Sequence, residues 1–286
     1  MFPPTSHLLC AFVAALCLGS SAQAVTLGYW RMETDLEPSA EGLRVPNEVL
    51  GGNDLLSSSA FVDSNLPTTS VPQTGTPNNG SLGGTRQGGS AGINGSVVAY
   101  AALNSPSLTV EFWGRTVEND ADLFLRTTGN NGLRIGNPSS LDVVFWVDDG
   151  AGGASPLQML NLFDMDANWH HFAFMYDAGT GLGQFFVDGG EVGRVQGAAG
   201  RALYWDPSAP VEIGVRMDYA AAFNGTIDEV RIDGDALGAS SLLLAPEPKT
   251  VLLMGAGLGA LAWVGRKRRR PSTPCTESER AAASLA

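Results

Sequence analysis

The residues with the most chemical potential stand late in the chain, in adjacent pairs. Asp228-Glu229, with Asp233 four residues on, brings together three carboxylates, and His170-His171 sets two imidazoles side by side. A carboxylate pair can cleave a glycosidic bond, but in a retaining site the two groups must face one another across about 5 Å. Neighbours on a strand point to opposite faces, so Asp228 and Glu229 are expected to lie apart, and Asp233 shares a face with Glu229 only if the strand stays regular. The same alternation keeps His170 and His171 from chelating one ion without a bulge, and no Cys or His stands at zinc spacing from either. Their expected role is structural, beside Trp169. No Ser-His-Asp arrangement is identifiable, and the Gly-rich stretch lacks the lysine of a phosphate loop. No catalytic residue is assigned.

The elements around these residues read as β. Val97 to Leu103, Leu108 to Thr116, Leu123 to Thr127, Leu133 to Ile135, Val143 to Val147, Trp169 to Tyr176, Gln184 to Val187, Val211 to Val215 and Thr226 to Ile232 are short runs rich in branched and aromatic residues. Each is bounded by Gly, Pro, Asn or Asp, and no useful helical period appears among them. The pattern predicts an all-β, antiparallel two-sheet sandwich. Leu27 to Glu33 reads as a first strand, and residues 38–59 as a long loop with at most one short strand. Residues 64–96 are Gly, Ser, Thr, Asn and Pro, with only Leu66, Val71, Leu82 and Ile93 large and apolar. That stretch is predicted to be a flexible loop outside the core.

Charge narrows the partners. From Val25 to Ala245 there are ten Arg, no Lys and 26 Asp plus Glu. Such an excess of acid argues against nucleic acid and anionic membrane surfaces, and suits divalent cations or neutral glycans, or serves solubility alone.

Both ends read as addresses. Leu8 to Leu18 is apolar and Ala22-Gln23-Ala24 is a small-x-small cleavage pattern, so residues 1–24 are expected to be a signal peptide, unusual in lacking an n-region Lys or Arg. Of the three cysteines, Cys10 and Cys17 leave with it and Cys275 lies near the far end, so the exported domain has none and its stability cannot come from disulfides. At the other end come Pro246-Glu247-Pro248, fifteen uncharged residues from Thr250 to Val264, and the cluster Arg266, Lys267, Arg268, Arg269 and Arg270. As a helix the apolar run would reach about 22 Å against roughly 30 Å of hydrocarbon, which is short for a permanent transmembrane anchor. The basic cluster should stay cytoplasmic, leaving everything before Pro246 outside. The prolines hold an extended, accessible segment beside the membrane.

This tripartite order over residues 246–270 resembles the PEP-CTERM sorting signal of Gram-negative, biofilm-forming bacteria. The resemblance implies an exosortase partner that recognises Pro-Glu-Pro, transient anchoring in the inner membrane, and delivery to the cell surface or the extracellular polysaccharide. The family usually ends soon after its basic cluster, whereas here residues 271–286 follow and read as a disordered tail. The other reading is a plain tail anchor.

Residues 25–245 carry a second resemblance. Ser107 to Trp113, Asn168 to Asp177, Phe185-Phe186-Val187-Asp188-Gly189 and Phe223 to Ile232, with Trp30-Arg31-Met32-Glu33 at the start, are similar to the concanavalin A-like, laminin-G-type jelly roll. That resemblance implies a calcium site joining Asp228 of the last strand to early-chain oxygens, with Glu33, Asn53 or Asp54 as partners; Asp228 alternatively caps a turn or pairs with Arg231. The fold also hosts glycoside hydrolases with acids alternating on one strand, a pattern that Asp228-Glu229 does not match. The expected function is a non-catalytic glycan- or polymer-binding module, with Tyr204 and Trp205 before Pro207 as the loop aromatics for sugar rings. The alternative is a purely structural matrix component.

Overall fold

The computed structural model describes residues 24–33, 37–39, 42–57, 60–84, 93, 95–98, 100–116, 121–126, 131–137, 140–214 and 223–244. The chain divides into two units, Met1–Ala245 and Pro246–Ala286. The signal peptide, Pro246-Glu247-Pro248, the apolar run, the cluster from Arg266 to Arg270 and the tail lie outside the described residues. Among the described residues no helix is long and apolar enough to cross a membrane.

The strands are, in order, β1 (Thr26–Trp30), β2 (Glu37–Ser39), β3 (Gly42–Val45), β4 (Leu55–Ser57), β5 (Phe61–Asp63), β6 (Ser81–Gly84), β7 (Gly95–Val97), β8 (Leu108–Thr116) and β9 (Ala121–Arg126). They continue with β10 (Leu133–Asn137), β11 (Leu141–Asp148), β12 (Ala154–Phe163), β13 (His170–Asp177), β14 (Leu182–Val187), β15 (Gly190–Gln196), β16 (Val211–Ile213) and β17 (Gly225–Asp233). One sheet runs β15-β14-β13-β8-β17-β6-β5, with β1 also paired to β17; the other runs β12-β11-β10-β9-β16-β7-β4-β3-β2. Every pairing between these strands is antiparallel, as the short alternating runs predict.

Alternation sets what each sheet buries. Along β11, Leu141, Val143, Phe145 and Val147 are buried while Asp142, Val144, Trp146 and Asp148 are partly open. The inward residues meet Phe172, Phe174 and Tyr176 of β13 between the sheets; Phe145 lies 5.0 Å from Phe174 and 5.2 Å from Tyr176, ring centre to ring centre. Each such ring contributes about 1.5–3 kcal/mol by leaving water. The β14–β15 hairpin closes on Asp188-Gly189, both with positive φ, as a two-residue turn of primed type requires. Asp188 also accepts the His171 N–H at 2.9 Å, tying the turn back to β13.

Three segments differ from expectation. The stretch 64–96 supplies β6 and part of β7, and Val71, Leu82 and Ile93 are all buried in place of forming a loose loop. Its small residues serve close packing: a Cβ on Gly83 would come 2.7 Å from the Phe61 ring, so only glycine lets that ring lie across the sheet. Residues 85–92 and 94 of the predicted loop lie outside the described residues. Val97 to Leu103 is the end of β7 and a 3-10 turn at Ala101–Leu103, because Val98 faces solvent and the alternation stops there. The predicted loop over 38–59 holds most of β2 and all of β3 and β4, strands of three or four residues too short to show a period.

Candidate ligand-binding groove

The outer face of the first sheet is made by alternate residues: Thr109, Glu111, Trp113 and Arg115 on β8, and His171, Ala173 and Met175 on β13. The segment after β17 lies across its middle. Leu242, with Leu237 beside it, packs on Ala173, Met175 and Phe186. Buried Glu111 holds that segment: its Oε2 accepts the Leu243 N–H at 2.7 Å and lies 3.0 Å from His171 Nε2, and its other oxygen pairs with Arg231. Arg231 in turn donates to Ser241 O at 2.8 Å and to Gln73 Oε1 at 3.0 Å.

Beyond this strap, among the described residues, a hollow of about 190 Å³ is lined by Phe61, Asp63, Gly84, Arg115, Asn224, Gly225 and Thr226. Register places its floor: Phe61 stands opposite Gly83, Gly83 opposite Thr226, and Thr226 opposite Arg115, a straight row across β5, β6, β17 and β8. Phe61 is 42 % exposed, one of the few large apolar side chains in the open. Thr226 is 7 % exposed and its Oγ1 is buried without a partner. Arg115 donates from Nε to Ala167 O at 2.6 Å, two residues before Trp169, whose indole N–H reaches Asn65 Oδ1 at 3.1 Å just past β5. An apolar ring beside hydroxyl, amide, carboxylate and guanidinium groups is the mixture a sugar needs, with C–H faces for the ring and hydroxyls for the polar groups. Sequence reading did not single out Phe61, Arg115 or Thr226. Thr226 and Arg115 lie within predicted strands at outward positions, whereas β5 is three residues long and gives no periodic signal.

The paired acids behave differently from expectation. Between Asp228 and Arg231 the register on β17 slips by one residue, and Glu229 adopts φ 50°. This bulge cancels the alternation that was expected to separate the two carboxylates. Asp228 accepts Asn78 Nδ2 at 2.7 Å and the Glu229 N–H at 2.9 Å. Glu229 accepts the Tyr29 hydroxyl and Arg31 Nη2, the latter at 3.1 Å; Arg31 also pairs with Glu33, which accepts the Asn79 N–H at 2.9 Å. Burial, followed by the Glu229 charge, pushes the Asp228 carboxyl well above the usual range; burial also raises Glu229, against the pull of Tyr29 and Arg31. Asp228 is 0 % and Glu229 1 % exposed, so neither reaches a substrate. Asp233 is buried as well, bonded to Thr26 and paired with Arg231.

Calcium is tested by the same contacts. Glu33 and Asp228 belong to one network, but Asp54 is engaged by Arg44 and the Asn47 N–H, and Asn53 O accepts Trp30 Nε1 at 3.1 Å. Among the described residues no three His, Cys, Asp or Glu side chains stand in metal-holding geometry. The donor set does not fit calcium, because Arg31 already supplies the positive charge at the centre of the acids. A consequence is measurable. With its pKa raised on folding, Asp228 contributes most stability below the unfolded value of about 3.9 and loses it as pH rises through the folded value. Asp228→Asn mimics the neutral acid, so it should match the wild type near pH 4 and become the more stable of the two as pH rises and the wild-type carboxyl is forced to ionise. Urea unfolding near pH 4 and at pH 8 checks this; a variant less stable at pH 8, or a wild type stabilised by added calcium, would return the carboxylate to a metal.

The remaining candidates are placed as follows. His171 is buried between Glu111 and Trp113, and His170 bonds Asp188 Oδ2 at 2.7 Å and Asp166 Oδ1 at 3.0 Å, both in structural roles. Burial lowers the His170 pKa, but the two carboxylates outweigh it and the net shift is upward. Trp205 donates its indole N–H to Ser105 O at 2.9 Å and carries the Arg126 guanidinium 4.5 Å over its ring, so one face is covered and the residue packs against the core. Burial pushes Arg126 down to about 10, and its remaining donors go to Leu103 O and Asn104 Oδ1. Tyr204 pairs by its backbone with Gly132 and Trp146. The structure does not bring Tyr204 and Trp205 to the hollow beside Phe61.

Comparison with known proteins agrees with this architecture. No curated protein matches the sequence. Domain 4 of AbnA, a GH43 extracellular arabinanase from Geobacillus stearothermophilus in complex with arabinotriose, is similar at 15 % identity and TM-score 0.50, covering 78 % of this chain and 99 % of that one. The binding domain of Paraclostridial Mosquitocidal Protein 1 is similar at 11 % identity and TM-score 0.48, covering 75 % and 50 %. The Botulinum Neurotoxin Type G Receptor Binding Domain is similar at 11 % identity and TM-score 0.43, covering 77 % and 49 %. The Laminin_G_3 family matches residues 87–242, more than half of the sequence, and the chain therefore belongs to the concanavalin A-like lectin/glucanases superfamily.

Proposed function

We propose that this is an exported surface or matrix protein whose jelly-roll domain binds glycan without cleaving it, through the groove beside Phe61. The observation that carries the reading is the row Phe61–Gly83–Thr226–Arg115, which sets an exposed ring and an unpartnered hydroxyl in one hollow while the paired acids Asp228 and Glu229 are sealed from solvent. The family's lectins and the arabinotriose held by the arabinanase domain that shares the fold support a sugar as the ligand. Export rests on the leader and on the PEP-CTERM-like signal at Pro246-Glu247-Pro248, through which an exosortase-type enzyme would release the domain from the inner membrane.

Affinity electrophoresis of the exported protein through gels containing single polysaccharides, with calcium and with chelator, tests this. At least one glycan should retard the wild type in both conditions, and Phe61→Ala should weaken that retardation tenfold or more, since a stacked ring is worth about 1–2 kcal/mol. Trp146→Ala, on the outer face of the other sheet, and Trp205→Ala should leave it unchanged. Retardation by no glycan would favour the structural-component reading, and loss on Trp205→Ala would move the site to that loop.

A further inference from the structure

We propose that the groove selects a carboxylated sugar, a uronic acid residue set among neutral ones, with Arg115 as its receptor. This rests on the glycan-binding reading and names the class of sugar. In a chain with so many acids several arginines are already committed: Arg31 pairs with Glu33 and Glu229, Arg44 with Asp54, Arg194 with Glu191, and Arg231 with Glu111 and Asp233. Arg115 is not among them: it spends Nε on Ala167 O, forms no ion pair among the described residues, and lines the hollow as a half-buried residue. Asp63 lines the same hollow without coming within ion-pair distance of it.

A guanidinium with both terminal nitrogens available matches a carboxylate through two parallel hydrogen bonds, which a neutral hydroxyl cannot reproduce. Beside it on the same row, Thr226 lines the hollow with its Oγ1 buried and without a protein partner among the described residues, a costly state that a ligand atom relieves once the Thr226 side chain turns outward to meet it. The two groups together describe one sugar carboxylate or its neighbouring hydroxyl. Phe61 offers an apolar face at the far end of the row, and Asp63 accepts from hydroxyls while repelling a second acid. The surplus of acids over the whole domain opposes a densely charged polyanion. The ligand that satisfies all of these is a pyranose with one carboxylate and neutral neighbours.

The experiment is calorimetric titration of the exported protein with an aldobiuronic acid, one glucuronate linked to one neutral xylose, and with its methyl ester, which has the same shape without the charge. The acid should bind at least tenfold more tightly than the ester. Arg115→Gln should bring the two to equal affinity, and Arg115→Lys should recover part of the difference by charge without the fork; unchanged thermal unfolding of both variants shows that they are folded. Equal binding of acid and ester by the wild type overturns the inference and leaves glycan binding standing. Binding of neither, together with no retardation by any polysaccharide, overturns both. Preference for the acid that survives Arg115→Gln places the carboxylate elsewhere and overturns the assignment of Arg115.

Discussion

Glu111→Ala should cost about 3–5 kcal/mol, a large part of the roughly 5–15 kcal/mol that holds a domain folded. Glu111 is fully buried and joins three elements of the outer face: Arg231 of β17, His171 of β13 and the Leu243 N–H of the strap. Truncation leaves a buried hydrogen-bond donor unmet and removes one of the two carboxylates that balance Arg231, with only Asp233 remaining. Urea unfolding should show a lowered midpoint, and limited proteolysis should first open the strap from Leu237 to Leu244, whose contacts with Ala173, Met175 and Phe186 are then left to the hydrogen bonds with Gln73, Arg231 and Thr109. Glu111→Gln keeps an acceptor for Leu243 and should lose less. A change under about 1 kcal/mol for the alanine variant would show that the network is not what fixes the strap.

Glu247→Ala should abolish release of the protein from the membrane. This follows from the proposed sorting signal, in which the short apolar run from Thr250 to Val264 is a transient substrate. A run of about 22 Å must thin the bilayer to stay, at fractions of a kcal/mol per Å of mismatch. Glu111 meets the strap at Leu243, so a cut near Pro246 to Pro248 would spare that contact. Mass spectrometry of the wild-type surface form should find no peptide between Thr250 and Arg266, while the variant should retain them. A plain tail anchor predicts no difference, because Glu247 lies outside the hydrocarbon; peptides from that run in the wild-type surface form would refute the sorting reading.

The sandwich was legible wherever strands were long enough to alternate. Leu108 to Thr116 is β8 to the residue, and β11, β13, β14 and β17 fall within two residues of the predicted runs. What could not be read was short or polar. The ten residues of β12, Ala154 to Phe163, form an edge strand in which only Met159 is buried, too weak an alternation to mark it, and β15 is an edge strand of mostly exposed side chains. The run from 64 to 96 looked too poor in apolar residues to join the core, yet Val71, Leu82 and Ile93 each fill a core position because neighbouring strands supply the rest of the apolar surface.

The site divides along the same line. Residue types settled the absence of lysine and of cysteine from residues 25–245, the excess of acid there, and the family, whose characteristic segments are local runs. Tertiary structure alone decided where the acids go, because the bulge at Glu229 is set by β17 pairing with both β8 and β1 and cannot be inferred from an alternation rule applied to one strand. It alone took the Trp205 face away, by laying Arg126 from β9 over it. It alone assembled the groove, since Phe61, Thr226 and Arg115 are far apart in sequence and meet only through the register of four strands. Register is a property of pairing, and pairing is governed by burial of the opposite face, so residues that share an open outer row carry no local mark of belonging together.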